Sequence, residues 1–164
     1  MTVREIRLFG DPVLRSPTAE VTDFGSVAGL VQDLIDTTSL PGRAGVAATQ
    51  IGVGLAVFSY NVDGKIGYLI NPEIVKLEGE PVLVEEGCLS VPGLWHRTPR
   101  HPKATARGYQ LDGSVVEVSG EGLMAQALQH ECDHLKGMLY LDRLDKEERR
   151  LAFANLRQQT WFIS

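Results

Sequence analysis

The chain has 164 residues, of which 43% are hydrophobic and 23% are charged, a composition typical of one globular domain with one substantial core. Its formal net charge of −5 argues against a broad electrostatic surface for nucleic acid, and no apolar run reaches the roughly 18 residues of a membrane span. Because the first residues also lack the apolar core of a secretory signal, we expect a single cytoplasmic domain over residues 1–164, with no membrane partner and no direct nucleic-acid recognition.

Hydrophobic periodicity predicts one helix and then a series of strands in the first three quarters of the chain. The helix begins after an N-cap at Ser26 and ends before Pro41. Residues 52–72 then predict two strands joined by a turn at Asp63-Gly64, and residues 73–87 predict two more short strands. Residues 103–120 alternate on both sides of a second Asp-Gly pair, which is typical of a hairpin.

Two helical segments complete the chain. Residues 121–137 place apolar side chains and two histidines on about one face of a helix that ends near Gly137. Residues 146–164 predict a C-terminal helix. Strands in the middle with helices before and after favour an α+β fold. We therefore expect small antiparallel or mixed β-sheets packed around the helix of residues 121–137, plus an N-terminal and a C-terminal helix.

The segment His130-Glu131-Cys132-Asp133-His134 matches the H-E-x-x-H pattern of metal-dependent hydrolases. Residues four apart on a helix lie on the same face, so His130 and His134 can present two imidazoles to one metal ion. Glu131 lies close enough to reach a water at that ion without binding the ion itself. The chain has only four histidines, so two of them flanking this glutamate by chance is the less favoured interpretation.

A catalytic metal usually has three protein ligands, so a third must lie outside the motif. The long metalloprotease pattern requires a third histidine six residues after the second, where this chain has Tyr140. Cys88 is a better candidate, because it follows a predicted strand in the segment EEGCLSVPG and would complete a Cys-His₂ site. Cys132 is the rival, but it points to another side of the helix and is better interpreted as a core residue.

Cys88 in the segment EGCLS, together with QHECDH, resembles the peptide deformylase family. A third family motif, G-φ-G-φ-A-A-x-Q with φ apolar, should then lie upstream, and residues 43–50 read RAGVAATQ. This segment matches from Gly45 to Gln50, whereas Arg43 and Ala44 replace the usual glycine and large apolar residue. Two motifs match fully and one in part, in the order and spacing of the family.

The resemblance implies an enzyme that removes the formyl group from the N-terminal formyl-methionine of new proteins and releases formate. Its substrates would be N-formyl-methionyl peptides and nascent chains. Glu131 would accept the proton of the attacking water, while the carboxamide of Gln50 and the backbone N–H of Leu89 would stabilise the oxyanion. The implied metal in the family is Fe(II), for which Zn, Ni or Co can substitute. Its ligands would be Cys88, His130 and His134.

The resemblance also implies where the substrate binds. The peptide would pair as an added strand near Gly45, where a glycine permits close approach of another backbone. Arg43 and Ala44 depart from the family pattern. We therefore expect an intact metal site but an altered segment where the substrate peptide pairs. The implied substrate contacts are Arg43, Ala44, Gly45, Val46, Val84, Gly87, Leu123 and Ala127.

Several residues near the motifs have less specific interpretations. Asp133 is a candidate hydrogen-bond partner for a ligand histidine, and Arg100 could pair with a carboxylate. His96 and His101 lie in a segment with prolines and arginines and are interpreted as surface or rim residues, with Trp95 at the mouth of a cleft.

Two alternative functions stay open. A metallopeptidase acting on ordinary amides would use His130, Glu131 and His134, but it would give no role to Cys88 or Gln50. A non-catalytic paralogue that binds formyl-peptides would accommodate the departures in the first motif. The arginines of the predicted C-terminal helix add the hypothesis that the ribosome is a partner, although a mixed-charge helix is most often a solvated surface.

Overall fold

The computed structural model describes residues 2–162. Three α-helices lie in this range: α1 (Ala28–Thr38), α2 (Leu123–Leu135) and α3 (Lys146–Leu156). The strands are β1 (Gly45–Ala47), β2 (Val57–Val62), β3 (Lys65–Glu78), β4 (Val82–Cys88), β5 (Val91–Arg100), β6 (Lys103–Tyr109) and β7 (Val115–Glu121). The expected α+β fold is confirmed. No helix within residues 2–162 is both long and apolar enough to span a membrane.

The strands form two antiparallel sheets. The larger sheet has the order β1-β2-β3-β6-β7, and the smaller one is the hairpin of β4 and β5. The predicted turn between β2 and β3 is present, and both Asp63 and Gly64 have positive φ angles of 51° and 79°, as the tightest hairpin turns require. In the smaller sheet Cys88 pairs with Val91, so only two residues join β4 to β5.

Helix α2 lies in the interior of the molecule because it packs against the larger sheet. Its residues Ala125, Leu128 and Cys132 join Phe58 of β2 and Leu69 of β3 in one buried cluster. Every residue of α2 from Ala127 to Leu135 is buried. The H-E-x-x-H motif is therefore carried by a core helix, whose polar residues need partners inside the protein.

Two further clusters place the terminal helices. Helix α1 packs with β1 and β2 through Leu34, Val46 and Val57. Helix α3 packs against β5 through Ala152 and Leu156, both fully buried. The C-terminal helix is thus part of a core rather than an appendage.

Several predicted boundaries are wrong. Two short strands were expected within residues 73–87, but the first of them is the second half of β3. The pairing of β3 with β6 has register shifts after Ile70. Strands β1 and β5 were not predicted, since β1 has three residues and β5 contains two prolines, which disfavour a strand assignment.

The helix ends also differ from the predictions. Helix α1 begins at Ala28 after a 3₁₀ turn over Phe24–Val27. Ser26 lies inside that turn and donates its hydroxyl to the Asp23 carbonyl at 2.7 Å, so it is not the N-cap. Helix α3 ends at Leu156 rather than continuing to residue 164, and residues 163–164 lie outside the described residues.

Candidate metal centre

Three potential metal ligands meet where the end of β4 reaches the middle of α2. The Cys88 Sγ lies 3.4 Å from the His134 Nε2, which in turn lies 3.2 Å from the His130 Nε2. All three donor atoms lie within 4.8 Å of one another. The two-residue turn after Cys88 fixes the thiol at the tip of its strand, and the four-residue spacing on α2 fixes the two imidazoles.

The chemistry of these donors fits a bound cation. The His130 Nδ1 lies 2.7 Å from the Glu86 Oε2, so the proton of a neutral ring is held there and the Nε2 carries a lone pair. That lone pair faces the Nε2 of His134 and the sulfur of Cys88. Three electron-pair donors facing one another in the interior repel unless a cation lies between them, and one sulfur with two imidazole nitrogens is a known zinc or iron ligand set.

A buried network of charges holds the histidine ligand in place. Arg100 is 3% exposed and donates to both carboxylate oxygens of Glu86, at 2.9 and 2.6 Å. Its remaining nitrogen donates to Asp133 at 2.8 Å, and Arg143 donates to the same carboxylate. Burial opposes ionisation of Glu86, but the hydrogen bonds from Arg100 and His130 outweigh it and lower the pKa of Glu86 to about 2. Glu86 is therefore a fixed anion that orients the His130 ring.

Glu131 is buried beside the three ligands. It is 3% exposed, and its Oε1 has no hydrogen-bond partner among the residues that the structure describes. Burial is the main cause that raises the pKa of Glu131 to about 7. A cation at the three ligands would lower that pKa again. The carboxylate lies directly against Gly45. A Cβ built at that position would be only 2.7 Å from the Glu131 Oε2.

Gln50 presents its amide nitrogen to the same place. Its Oε1 accepts a hydrogen bond from the Ala47 backbone N–H at 3.0 Å, which determines the orientation of the amide group. The Nε2 then faces the Ser90 Oγ at 3.2 Å and the Cys88 Sγ at 3.6 Å. Gln50 is 1% exposed, so this amide group is a rigid donor at the edge of the ligand cluster.

A cavity of about 630 Å³ leads from the surface to this cluster. Its walls come from the loop before β1, the β4–β5 hairpin and the first half of α2. Val46 and Val84 are not among the lining residues, and the Val46 side chain is fully buried. The expected site residues that line the cavity are Arg43, Ala44, Gly45, Gln50, Gly87, Cys88, Leu89, Leu123, Ala127, His130 and Glu131.

Comparison with known proteins identifies this arrangement. Residues 3–150 match the model of the polypeptide deformylase family. The chain belongs to the peptide deformylase family. It is 48% identical to a peptide deformylase of Acidothermus cellulolyticus over 98% of this chain and 89% of that one, and 45% identical to one of a Parafrankia species over the same shares. The crystal structure of a peptide deformylase from Legionella pneumophila superposes with a TM-score of 0.87 at 37% identity, covering 96% of this chain and 95% of the other.

Family membership makes the chain an enzyme and its centre metal-dependent. The group of Cys88, His130 and His134 forms a possible metal site within residues 2–162. The resemblance inferred from the three motifs is thereby confirmed. The alternative of a non-catalytic paralogue is not favoured, because relatives that match nearly the whole chain are peptide deformylases.

Several residues near the centre have other positions than the sequence predicts. Glu86, not Asp133, accepts the hydrogen bond of a ligand histidine, and no sequence motif singled it out. His96 is 6% exposed and pairs with Glu148 of α3 at 2.9 Å, so its interpretation as a surface residue is wrong. Buried and exposed residues alternate along β5, but the buried positions near His96 include the polar Thr98 and Arg100, so no apolar pattern in the sequence indicated the burial of His96.

Three expectations about neighbouring residues agree with the structure. Arg100 pairs with carboxylates, as its position after the cysteine motif suggested. Cys132 is 5% exposed within the apolar cluster behind α2, on another side of the helix from the two histidines. Trp95 is 64% exposed at the mouth of the cavity.

Proposed function

We propose that this enzyme hydrolyses the formamide bond at the N-terminus of N-formyl-methionyl peptides and nascent chains, releasing formate. One observation carries the proposal: the buried carboxylate of Glu131, whose Oε1 has no hydrogen-bond partner within residues 2–162, lies beside a Cys-His₂ ligand set at the inner end of a cavity. A carboxylate in this setting is suited to proton transfer rather than to stabilising the fold.

The chemistry requires an ion at Cys88, His130 and His134. When bound there, the ion supplies Lewis acidity that activates water and polarises a carbonyl. Glu131 accepts the proton of the attacking water and delivers it to the leaving amine. Fixed donors then stabilise the negative charge that develops on the formyl oxygen.

Two groups of this chain are suited to that last role. The Gln50 Nε2 is held at the ligand cluster by the bond that its Oε1 accepts from Ala47. Leu89 is one of the two turn residues between Cys88 and Val91 and lines the cavity. Its backbone N–H would serve as the second donor whatever side chain it carried.

The substrate peptide would bind as an extra strand. Strand β1 is at the edge of the larger sheet and pairs on one side with β2, so its other side is available to an extended peptide. Gly45 on this strand lines the cavity, while Val46 could contact substrate only through its backbone. Apolar atoms of Leu123 and Ala127 on α2, opposite Gly87, would surround the methionine side chain.

We propose Fe(II) as the native metal. The ligand set is compatible with iron and zinc alike, and the proposal rests on the family resemblance. An iron form should lose activity in air, because both the metal and the Cys88 thiolate are oxidisable. Metal analysis of active protein purified without oxygen and without added metal tests the proposal, and a different metal in place of iron would overturn it.

Three broader proposals concern the setting of the enzyme. Residues 1–164 would form one domain, located in the cytoplasm, where nascent chains are made. The ribosome would be a partner through the exposed basic residues of α3. Deletion of α3 is a poor test, since Leu156 is fully buried. Changing the exposed Arg150 and Arg157 to glutamate leaves the core intact, and unchanged co-sedimentation with ribosomes would overturn this proposal.

The experiment for the function compares formylated and unformylated peptides of the same sequence. We expect the enzyme to release formate from formyl-Met-Ala-Ser and to leave Met-Ala-Ser uncleaved. Release of free methionine from the unformylated peptide would instead support a metallopeptidase.

A further inference from the structure

The cavity wall carries an arginine, Arg43, whose charge is not balanced by a carboxylate from the part of the chain that the structure describes. Arg43 lies in the loop between α1 and β1, is half-buried and lines the cavity. Its Nη1 donates to the Thr37 carbonyl at 3.0 Å. Among the described residues, no carboxylate forms an ion pair with Arg43. The same holds for Arg97 and Arg157, which do not line the cavity, whereas an ion pair is formed by each of Arg4, Arg7, Arg15, Arg100, Arg107, Arg143, Arg149 and Arg150.

The bond to Thr37 holds the guanidinium rather than neutralising it. Thr37 lies in the last turn of α1, where backbone carbonyls lack helical partners and a cation is favourable. A guanidinium has five N–H groups in a planar fork, and this carbonyl uses one of them. The remaining donors of Arg43 form a positioned, partly desolvated cationic group at the cavity wall, a geometry that suits a carboxylate.

The other ionisable groups along the cavity do not supply that carboxylate. Glu86 is bound by Arg100 and His130. Glu131 lies at the inner end, against Gly45. Glu85 is exposed on the β4–β5 hairpin, where its register partner is Arg97. The partner of Arg43 would therefore come from outside the chain.

The position of Arg43 indicates which part of a substrate it would meet. If the formyl group reacts beside Glu131, it lies next to Gly45, and Arg43 is two residues back along the same wall. An extended peptide advances about 3.3 Å per residue, so a peptide that runs from Gly45 towards Arg43 has its methionine opposite Ala44 and its first residue after methionine opposite Arg43. This argument rests on the proposed deformylase function.

We propose that Arg43 is a specificity-determining residue that binds a carboxylate on the first residue after formyl-methionine. In a nascent chain this group is an aspartate or glutamate side chain. In a formyl-dipeptide the terminal carboxylate of the same residue can take its place. The enzyme therefore prefers substrates that are acidic at this position.

The test compares kcat/KM for formyl-Met-Asp-amide, formyl-Met-Asn-amide and formyl-Met-Asn with a free terminal carboxylate. The Asp amide should exceed the Asn amide by about fivefold, as expected for an ion pair of about 1 kcal/mol. The difference should appear mainly in KM and should decrease with added salt. A preference for the free acid over the Asn amide would show that the terminal carboxylate also binds.

Variants of the enzyme test whether Arg43 causes the preference for acidic substrates. R43Q should bring each ratio to about one, and R43K should retain part of it because the charge remains. R107Q removes an equal charge from an exposed residue of β6 outside the cavity, and it should keep the ratios. If Arg43 only caps α1, the substitutions would change stability but not these ratios.

Failure of this inference is distinct from failure of the proposed function. No formate from any of the three peptides would overturn the deformylase proposal itself. Formate release with equal kcat/KM for the Asp and Asn amides and the free acid would overturn only the role of Arg43. So would ratios that R43Q leaves unchanged.

Discussion

Gly45 and Glu131 are in contact in a way that only glycine permits. A Cβ at residue 45 would lie 2.7 Å from the Oε2 and 2.9 Å from the Cδ of Glu131, closer than such atoms approach. The edge strand that would receive the substrate and the side chain that would accept the proton are therefore packed against each other. Gly45 thus determines where the Glu131 carboxylate lies.

We predict that G45A lowers kcat at least about tenfold while metal content is unchanged. The added methyl group would displace Glu131 from its position, and small displacements of a catalytic group are costly. Metal analysis and steady-state kinetics on the same preparation measure both quantities. G29A is a suitable control, because a Cβ at Gly29 in α1 meets no atom within 4 Å. It should raise the free energy of unfolding by about 0.5–1 kcal/mol and leave kcat unchanged.

The two cysteines should respond differently to substitution. C88A removes one of three ligands and should abolish tight metal binding at neutral pH. C132A should keep the metal and the activity and lower the free energy of unfolding by about 1 kcal/mol, since Cys132 packs among apolar residues behind α2. Metal titration and denaturant unfolding of both variants measure these effects. Loss of metal from C132A, with C88A still loaded, would contradict the ligand assignment.

E86Q should weaken metal binding about 10- to 100-fold, because Glu86 orients the ligand His130. It should also lower the free energy of unfolding by about 3 kcal/mol, since it removes a charge that Arg100 pairs with in the interior. Competition with a chelator measures the affinity. The neighbouring E85Q, at an exposed position, is the matched control and should change neither quantity. Equal metal affinities for the two variants would rule out the positioning role of Glu86.

The sequence alone was sufficient to predict those metal ligands whose positions depend on local spacing or on a recognisable motif. His130 and His134 lie on one face of a helix because of their four-residue spacing, which any α-helix shares. Cys88 could be predicted because chemistry demands a third ligand and the segment around it resembles a known motif.

Glu86 and the burial of His96 could not be predicted in this way. Both depend on how the β4–β5 hairpin packs on α2 and α3, which is a tertiary relationship between distant segments. The same limit applies to Val84, which the resemblance placed at the substrate but which does not line the cavity. Gly45 was expected to admit substrate backbone, and its contact with Glu131 is an additional constraint that spacing does not reveal.

The most direct test of the account measures formate release from formyl-Met-Ala-Ser by metal-loaded enzyme, with E131Q beside it. Glutamine has the shape of glutamate but cannot accept the proton, so the account predicts full metal occupancy in both proteins and formate from the unsubstituted enzyme alone. Formate release by E131Q at a comparable rate would contradict the role of Glu131. No release by the fully loaded, unsubstituted enzyme would contradict the proposed function.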